Sequence, residues 1–397
     1  MDRTIYLDNN ATTMIAPEVL EAMLPFLKER YGNPSSMHSF GGSVARDVAQ
    51  ARMNVASFIG AEYDYEIVFT GTGTESDNMA IMGSLAYYRD KRHIITTRVE
   101  HPAVISLCKK LEKDGYRVTY IPVDREGTLD LELLKSSVDD DTALVSVMFA
   151  NNETGVINPV NEIGAYLKER GIPFHVDAVQ AAGKVPIDVK NIQCDLLTIS
   201  GHKFHAPKGI GALYVRRGTR MRPILYGGHQ EKGRRPGTEN VPGIIGMGTA
   251  AELAMKHLPE YATRVNKLRD RLEAGILGAF KNAHLNGNRE RRVPNTTNVG
   301  FEYIEGEAIL LYLDQQGIAA SSGSACSSGS LEPSHVLRAM GVPFTSAHGS
   351  IRFSLSRYTR DEDVNHVLAV MPEVVNRLLE ISPYWDSVRQ EGRPINL

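Results

Sequence analysis

A hydroxyl, an imidazole and a primary amine stand close together in Ser200-Gly201-His202-Lys203, directly after the apolar-rich run Leu196-Leu197-Thr198-Ile199. That run reads as a buried strand, and in open α/β sheets ligands collect outside the carboxyl ends of parallel strands. Lys203 is therefore expected to face a cleft. An amine there, with the hydroxyl of Ser200 and the ring of His202 beside it, suits a phosphate-bearing aldehyde cofactor held as a Schiff base. A second apolar segment, Phe174-His175-Val176-Asp177, closes its strand with an acid. An aspartate beside a pyridine nitrogen keeps that nitrogen protonated, so the ring can absorb the electrons of a carbanion. Lys203 and Asp177 together read as a pyridoxal phosphate site.

Cys326 is the second focus of chemistry. It lies in Ser321-Ser322-Gly323-Ser324-Ala325-Cys326-Ser327-Ser328-Gly329-Ser330, where small residues are expected to preclude a packed helix or strand and to favour a mobile, solvent-reached loop. Free cysteines are usually buried as small hydrophobes, which is how Cys108, on a helix, and Cys194, just before a strand, read. A flexible thiol can instead move between a cofactor and an external acceptor. Only a few per cent of a thiol with pKa ~8.5 is ionised at neutral pH, so Cys326 needs local activation.

Other residues fit around these two. Arg352, in Ile351-Arg352-Phe353-Ser354-Leu355, reads either as a two-pronged clamp for an amino acid's carboxylate or as half of a surface ion pair. His101 follows a strand, and Pro102 turns the chain into the next helix; its ring can stack on a cofactor and exchange protons, or be structural. Asn152 and Gln180 end strands and suit hydrogen bonds to a phenolic oxygen or a substrate. In Gly71-Thr72-Gly73-Thr74-Glu75-Ser76 a strand meets a helix, whose first N–H groups can bind phosphate. The same segment resembles a broken dinucleotide fingerprint, but Ser76 replaces its third glycine and no acid ends a strand about 20 residues on. Gly233-Arg234-Arg235-Pro236-Gly237-Thr238-Glu239-Asn240 reads either as a phosphate contact or as a solvated loop.

The elements that must position these groups alternate short apolar runs with longer amphipathic ones, a βαβ pattern. Strands are expected at 66–70, 93–97, 117–122, 143–150, 174–177, 196–200 and 211–216, and five chemically loaded turns follow them on one sheet edge. A large domain is expected over 14–257, and a smaller one over 258–397 with residues 1–13 returning to it. In the smaller unit 259–280 is charged at helical spacing, 299–301 and 350–355 read as strands, and 361–380 reads as a closing helix. The tail from 382 to 397 shows little periodicity. A net charge of -3 in 397 residues gives no pull toward nucleic acid or anionic membrane. The amino-terminal residues carry no apolar core of a leader, and no long apolar run suggests a membrane span. The three cysteines are too far apart for a CxxC zinc or redox pair, so a reducing cytoplasm is the expected home.

Assembled, these residues resemble the cysteine desulfurases of the class V aminotransferase family, in the branch that supplies sulfur for iron-sulfur clusters and nitrogenase maturation. The resemblance rests on Tyr6-Leu7-Asp8-Asn9-Asn10-Ala11-Thr12-Thr13, Tyr31-Gly32-Asn33-Pro34-Ser35-Ser36, Glu100-His101-Pro102-Ala103-Val104, Asn151-Asn152-Glu153-Thr154-Gly155, the Ser200 to Gly209 segment, Arg235-Pro236-Gly237-Thr238 and Ser324-Ala325-Cys326-Ser327-Ser328-Gly329. It implies a fold type I homodimer: a large domain with a mainly parallel seven-stranded sheet holding pyridoxal phosphate on Lys203, and a smaller α+β domain carrying Cys326. It further implies that Gly73, Thr74, Ser200 and His202 bind phosphate, with Thr238 reaching the partner subunit's phosphate. By the same resemblance His101 stacks on the ring, Asp177 pairs with its nitrogen, Asn152 and Gln180 contact cofactor or substrate, and Arg352 holds the substrate carboxylate. The phosphate turn departs from the family, with Thr70-Gly71-Thr72 where Thr-Ser-Gly is usual. The expected reaction turns L-cysteine into L-alanine and leaves a persulfide on Cys326 for an iron-sulfur scaffold protein, with His101 handling the thiol proton. No metal site is expected beyond a transient iron-sulfur contact at Cys326. An aminotransferase or selenocysteine lyase on the same fold, or a sulfur-relay protein without turnover, are the rival readings.

Overall fold

The computed structural model describes residues 3–322, 333–386 and 391–392. The chain opens with β1 (Ile5–Tyr6), α1 (Pro17–Lys28) and α2 (Ser39–Phe58). Strands and helices then alternate: β2 (Ile67–Thr70), α3 (Gly73–Tyr87), β3 (His93–Thr97), α4 (Pro102–Lys113), β4 (Arg117–Ile121), α5 (Leu131–Ser137), β5 (Thr142–Met148), α6 (Val160–Glu169), β6 (Phe174–Asp177), α7 (Val189–Ile192), β7 (Leu196–Ser200) and β8 (Gly211–Val215). Every residue of β5, β6 and β7 is buried, as strands covered on both faces require.

The seven strands pair in the order β2-β8-β7-β6-β5-β3-β4. Pairing is parallel from β4 through β3, β5 and β6 to β7, while β8 runs antiparallel to both β7 and β2. The carboxyl ends of β2, β3, β5, β6 and β7 therefore share one edge, which is where the chemically loaded turns begin.

Helix α8 (Val241–Glu260) continues through a π-helical turn at Tyr261–Val265 into α9 (Asn266–Ala279). The change of apolar allegiance happens along this run. Met247, Ala250 and Ala251 join the core of the large sheet, whereas Tyr261, Val265 and Leu268 join a separate core. The expected boundary at 257 thus falls inside a helix, not in a linker.

The remaining elements are β9 (Ala283–Leu285), β10 (Thr296–Phe301), α10 (Gly306–Gln315), β11 (Ile318–Ala319), β12 (Ser321–Ser322), α11 (His335–Ala339), α12 (Phe344–His348), β13 (Ser350–Ser354), α13 (Asp361–Ile381), β14 (Trp385–Asp386) and β15 (Glu391–Gly392). β12, β13, β10 and β9 form an antiparallel sheet in that order, and β1 pairs in parallel with β11. Leu7 is buried with Phe301, Phe353 and the inner faces of α9 and α13. The chain then crosses to the large sheet, where Thr13 N donates to His202 O at 2.9 Å and Ala16 N to His205 O at 3.1 Å. Among the described residues no helix is long and apolar enough to cross a membrane.

Two expectations are corrected here. Ser321 and Ser322, placed in the irregular small-residue run, form a strand against Arg352 and Ile351, because pairing with the edge of β13 needs only their backbone groups. The tail expected to lack pattern pairs β14 with β15, and the Trp385 ring packs 5.5 Å from Tyr303.

Candidate active site

The shared edge opens into a cavity of about 520 Å³ between the large sheet and β13. Gly73, Thr74, His101, Asn152, Asp177, Gln180, Ser200, His202, Lys203 and Arg352 all line it. Thr238 does not; it is exposed on its loop. Cys326 lies outside the described residues. A larger cleft of about 780 Å³ opens alongside, sharing Thr12 and Lys208, but neither Lys203 nor Asp177 reaches it.

Each side chain is placed by a strand end. After Ser200 the chain makes a 3-10 turn, Gly201–Lys203, and Lys203 Nζ donates to the carbonyls of Asn10 at 2.7 Å and Ala11 at 2.8 Å. One residue earlier, His202 Nδ1 lies 3.1 Å from Thr12 Oγ1. Burial, then the charges of Lys203 and Lys208, depress His202 to about 4, so it is neutral at physiological pH. Asp177 ends β6 and accepts from Val179 N at 2.9 Å. Burial raises its carboxyl to about 6, although the Val179 hydrogen bond and the Lys203 charge oppose the rise.

The phosphate-type turn is built as a helix cap. Thr72 caps α3, its hydroxyl accepting from Glu75 N at 3.1 Å, which leaves Gly73 and Thr74 as the first helical residues with N–H groups unneeded inside the helix. Gly73 is required for closeness: a Cβ there would stand 3.1 Å from Val179 Cγ2 and 3.2 Å from Ser200 Cβ. Arg235 is no free phosphate contact, because its guanidinium pairs with Glu75 at 2.7 Å.

His101 caps α4, its Nδ1 accepting from Ala103 N at 3.2 Å, which assigns the ring proton of the neutral form to Nε2. Burial first, then the charges of Lys203 and His335, lower its pKa to about 4. Arg352 is 3% exposed, so the surface ion-pair reading is wrong. It sits in the middle of β13, with Nη2 donating to Asp8 Oδ1 at 2.7 Å and Nη1 to Asn152 O at 3.0 Å.

Three residues of the site carried no signal of their own in the sequence reading. Asn10 is the hub: its backbone carbonyl accepts from Lys203 and Gln180, and its side chain donates to Asn152 O at 3.1 Å and Thr296 Oγ1 at 2.9 Å. Asp77, on the first turns of α3, is 2% exposed, and its Oδ1 has no hydrogen-bond partner among the described residues. Burial, then the charges of Asp177 and Glu100, push its carboxyl well up. Lys184 is buried behind Gln180. The one available sequence signal was its spacing, four residues after Gln180 across Ala181-Ala182-Gly183.

The class-V aminotransferase family model matches residues 5–367. The chain is 62% identical over 394 residues to a protein of Trichormus variabilis called cysteine desulfurase 2, covering 98% of each. It is 57% identical over 381 residues to the cysteine desulfurase NifS of Azotobacter vinelandii, covering 96% of this chain and 95% of that one. A solved structure titled NifS-like protein superposes with a TM-score of 0.89 at 40% identity, covering 94% of this chain and all of that one. The fold and its cavity define a class V aminotransferase-type enzyme, and the chain belongs to that family, in its cysteine desulfurase branch.

Proposed function

We propose that the chain is a pyridoxal phosphate-dependent cysteine desulfurase that converts L-cysteine to L-alanine and leaves the sulfur on Cys326 as a persulfide, for use in iron-sulfur cluster assembly. The observation that carries this reading is the meeting of Lys203, Asp177, His101 and Arg352 around one cavity, in a chain of this family.

The residues fit the cofactor. Gly73 lets the start of α3 come close to Val179 and Ser200, a cradle that a side chain would fill. Asp177 brings a buried carboxylate with only one oxygen engaged by Val179 N. Gly73, Thr74, Ser200 and His202 would hold the phosphate, Asp177 the ring nitrogen, His101 the ring face, and Lys203 the aldehyde carbon. When bound, the cofactor supplies a ring that stabilises negative charge on the substrate's Cα.

The rest is done by the protein. Lys203 Nζ, held over the Asn10 and Ala11 carbonyls, moves the Cα proton. Arg352 orients the substrate carboxylate with Asn152 beside it, and its existing tie to Asp8 keeps the guanidinium fixed in the wall. His101 handles the thiol proton: because Nε2 carries the ring proton of the neutral form, taking another requires Nδ1 to release Ala103 N. The Cys326 thiolate attacks the substrate sulfur, an S–S bond forms on the protein as the C–S bond breaks, and the electron pair of the broken bond stays on the substrate carbon, which is protonated to give alanine.

The reading includes a homodimer in which exposed Thr238 reaches the phosphate of the partner subunit, a large domain over 14–257, and a small domain over 258–397 with residues 1–13. It also includes a reducing compartment, supported by Cys108 and Cys194, which are buried free thiols. The test is to give the purified protein L-cysteine, assay alanine, and locate bound sulfur by mass spectrometry after alkylation. Alanine formed with no labile sulfur on Cys326 would sink the persulfide step.

A further inference from the structure

Lys184 has no part in that reaction, yet it is a lysine only 3% exposed beside the site. Its Nζ donates to Gln180 Oε1 at 2.5 Å and to Asn10 Oδ1 at 3.1 Å. On the other side, Gln180 Nε2 donates to the Asn10 backbone carbonyl at 2.9 Å, the oxygen that also receives Lys203 Nζ at 2.7 Å. A primary amide has an acceptor at one end and a donor at the other, and which end points where follows from its neighbours. The Asn10 carbonyl can only accept, so the end of Gln180 facing it is the NH2. The Lys184 amine donates to the opposite end, which is therefore the oxygen.

Two N–H groups suffice for the two bonds that Lys184 makes, so the arrangement holds whether or not the amine is charged. Its charged form is strongly disfavoured, first by burial and then by the charges of Lys203 and Arg352. Gln180 lines the cavity and Lys184 does not, so the Gln180 oxygen is drawn away from the cavity while one amide hydrogen stays unspent.

We propose that Lys184 is a positioning residue that locks the Gln180 amide so that it offers the cavity a hydrogen-bond donor and never an acceptor. The inference rests on the reading that the cavity holds pyridoxal phosphate with Gln180 beside an oxygen of its ring. A donor on that oxygen favours its anionic form and lowers the proton affinity of the bound cofactor. Without Lys184 the Asn10 carbonyl alone orients the amide, so turning it over to present its oxygen to the cavity costs one hydrogen bond instead of two. Asn10, tied to both Lys184 and Lys203, also loses one of the restraints on the carbonyl that supports the Lys203 amine.

The experiment titrates the visible absorption band of the cofactor-loaded protein with pH, in wild type, Lys184→Met, Lys184→Arg, Gln180→Ala and the Lys184→Met/Gln180→Ala double variant. The titratable and charged groups facing the cavity, Lys203, Lys208, Arg352, His101, His202, Asp77 and Asp177, are the same in all five. Lys184→Met and Gln180→Ala are each expected to move the midpoint upward by about one pH unit, the size of one lost hydrogen bond. The double variant should move it no further than the larger single change, because the two residues act through one contact. Lys184→Arg, which keeps donors, should stay near wild type. A wild-type midpoint in Lys184→Met, or additive shifts in the double variant, would overturn the inference; Lys184→Leu makes the same comparison if the Met variant does not fold. A wild-type protein that shows no cofactor band at all would overturn the underlying reading, and the inference with it.

Discussion

Two buried clusters of charge in this molecule are built on opposite terms. Between α9 and β10, Glu273 receives two hydrogen bonds from Arg292, at 2.5 and 3.0 Å, and one from Thr297 Oγ1 at 2.7 Å. Burial opposes ionisation of Glu273, yet the Arg292 and Thr297 hydrogen bonds with the Arg292 and Arg269 charges outweigh it, and its pKa falls. Behind the carboxyl ends of the large sheet, Asp77, Asp177 and Glu100 are all raised, with burial the leading cause in each, and Lys184 is lowered with amide oxygens as its partners. In the first cluster both Glu273 oxygens are paired within the chain, and Arg292 Nε alone of the Glu273–Arg292–Thr297 group has no hydrogen-bond partner among the described residues. The second holds three raised carboxyls and a lowered amine, each shifted first by burial toward its neutral form, and perturbed groups of that kind gather at working sites.

On this contrast, substitutions among the working residues proposed for the cavity beside the second cluster should strike turnover, and those in the first cluster should strike stability. The largest effect on turnover is expected from Lys203→Ala, because both the cofactor's anchor and the Cα proton carrier are lost. A fall of at least about 10³-fold is expected, within the range for removing a positioned acid-base group. Alanine release and the cofactor absorbance left after desalting measure it, and near-normal turnover with retained cofactor would show that Lys203 is misassigned. Cys326→Ser should bring alanine formation close to background while cysteine still alters the cofactor band, since a hydroxyl is a far weaker nucleophile toward sulfur. Alanine at the wild-type rate would mean that no protein thiol is needed.

Arg352→Ala should cost less. A charge-assisted, two-pronged contact contributes roughly 1.5 to 3 kcal/mol, so kcat/KM for cysteine is expected to fall roughly ten- to 150-fold, chiefly through KM. An unchanged KM would leave Arg352 with a structural role alone, in its pairing with Asp8. Glu273→Ala should reverse the pattern. Removing one partner of a buried pair costs about 3 to 5 kcal/mol of stability, while the molecules that remain folded turn over at the wild-type rate. Urea unfolding beside kcat decides it; a large loss of kcat without loss of stability would erase the distinction between the clusters.

The difference between the clusters also explains what could be read from the sequence. The inner strands of the large sheet were legible because covered strands are apolar-rich runs, the edge strand β4 by its β-branched and aromatic residues, and Asp177, Ser200 and Lys203 were legible because they stand where apolar runs stop. Asn10, Asp77 and Lys184 were not, since what makes them part of the site is a partner far along the chain: Asn10 meets Gln180, Lys203 and Thr296 only after folding. Arg352 was seen as a clamp, but its burial and its tie to Asp8 depend on the pairing of β12 and β13 and the return of the amino-terminal segment. Ser321–Ser322 misled for the same reason, as an edge position and not composition made them a strand. The helical run from α8 to α9 hid a change of core that no break in periodicity marks.

The smallest expected effect, and the finest test of the contrast, is one of stability and comes from Glu100. Its Oε1 accepts from Thr97 Oγ1 at 2.8 Å and Met148 N at 2.9 Å, while Oε2 has no hydrogen-bond partner among the described residues. Burial raises its pKa to about 8, against those two hydrogen bonds. A carboxyl raised on folding keeps a proton that the unfolded chain has released, so stability is fully present below its ordinary pKa and drains away as pH rises toward 8. His101, His202 and His205, lowered to about 4, work in the opposite sense up to their ordinary value near 6.5. Between about pH 6.5 and 8 those imidazoles no longer contribute to the change with pH; Glu153, raised to about 7, and Asp77 add terms of the same sign as Glu100, and the lowered Lys184 one of the opposite sign, so the comparison rests on the difference between wild type and variant. In the cofactor-free protein, the change of the urea midpoint with pH across that window should be more negative for wild type than for Glu100→Gln, which cannot titrate. The slope is the readout, because the new amide nitrogen inherits the unpartnered position and can lower stability at every pH. Glu273→Gln should leave this slope alone, as a lowered carboxyl acts only in acid, where its contribution is lost as pH falls through its folded pKa. Equal slopes in wild type and Glu100→Gln would show that Glu100 is ionised and accommodated, and that burial behind the sheet shifts it less than the geometry implies.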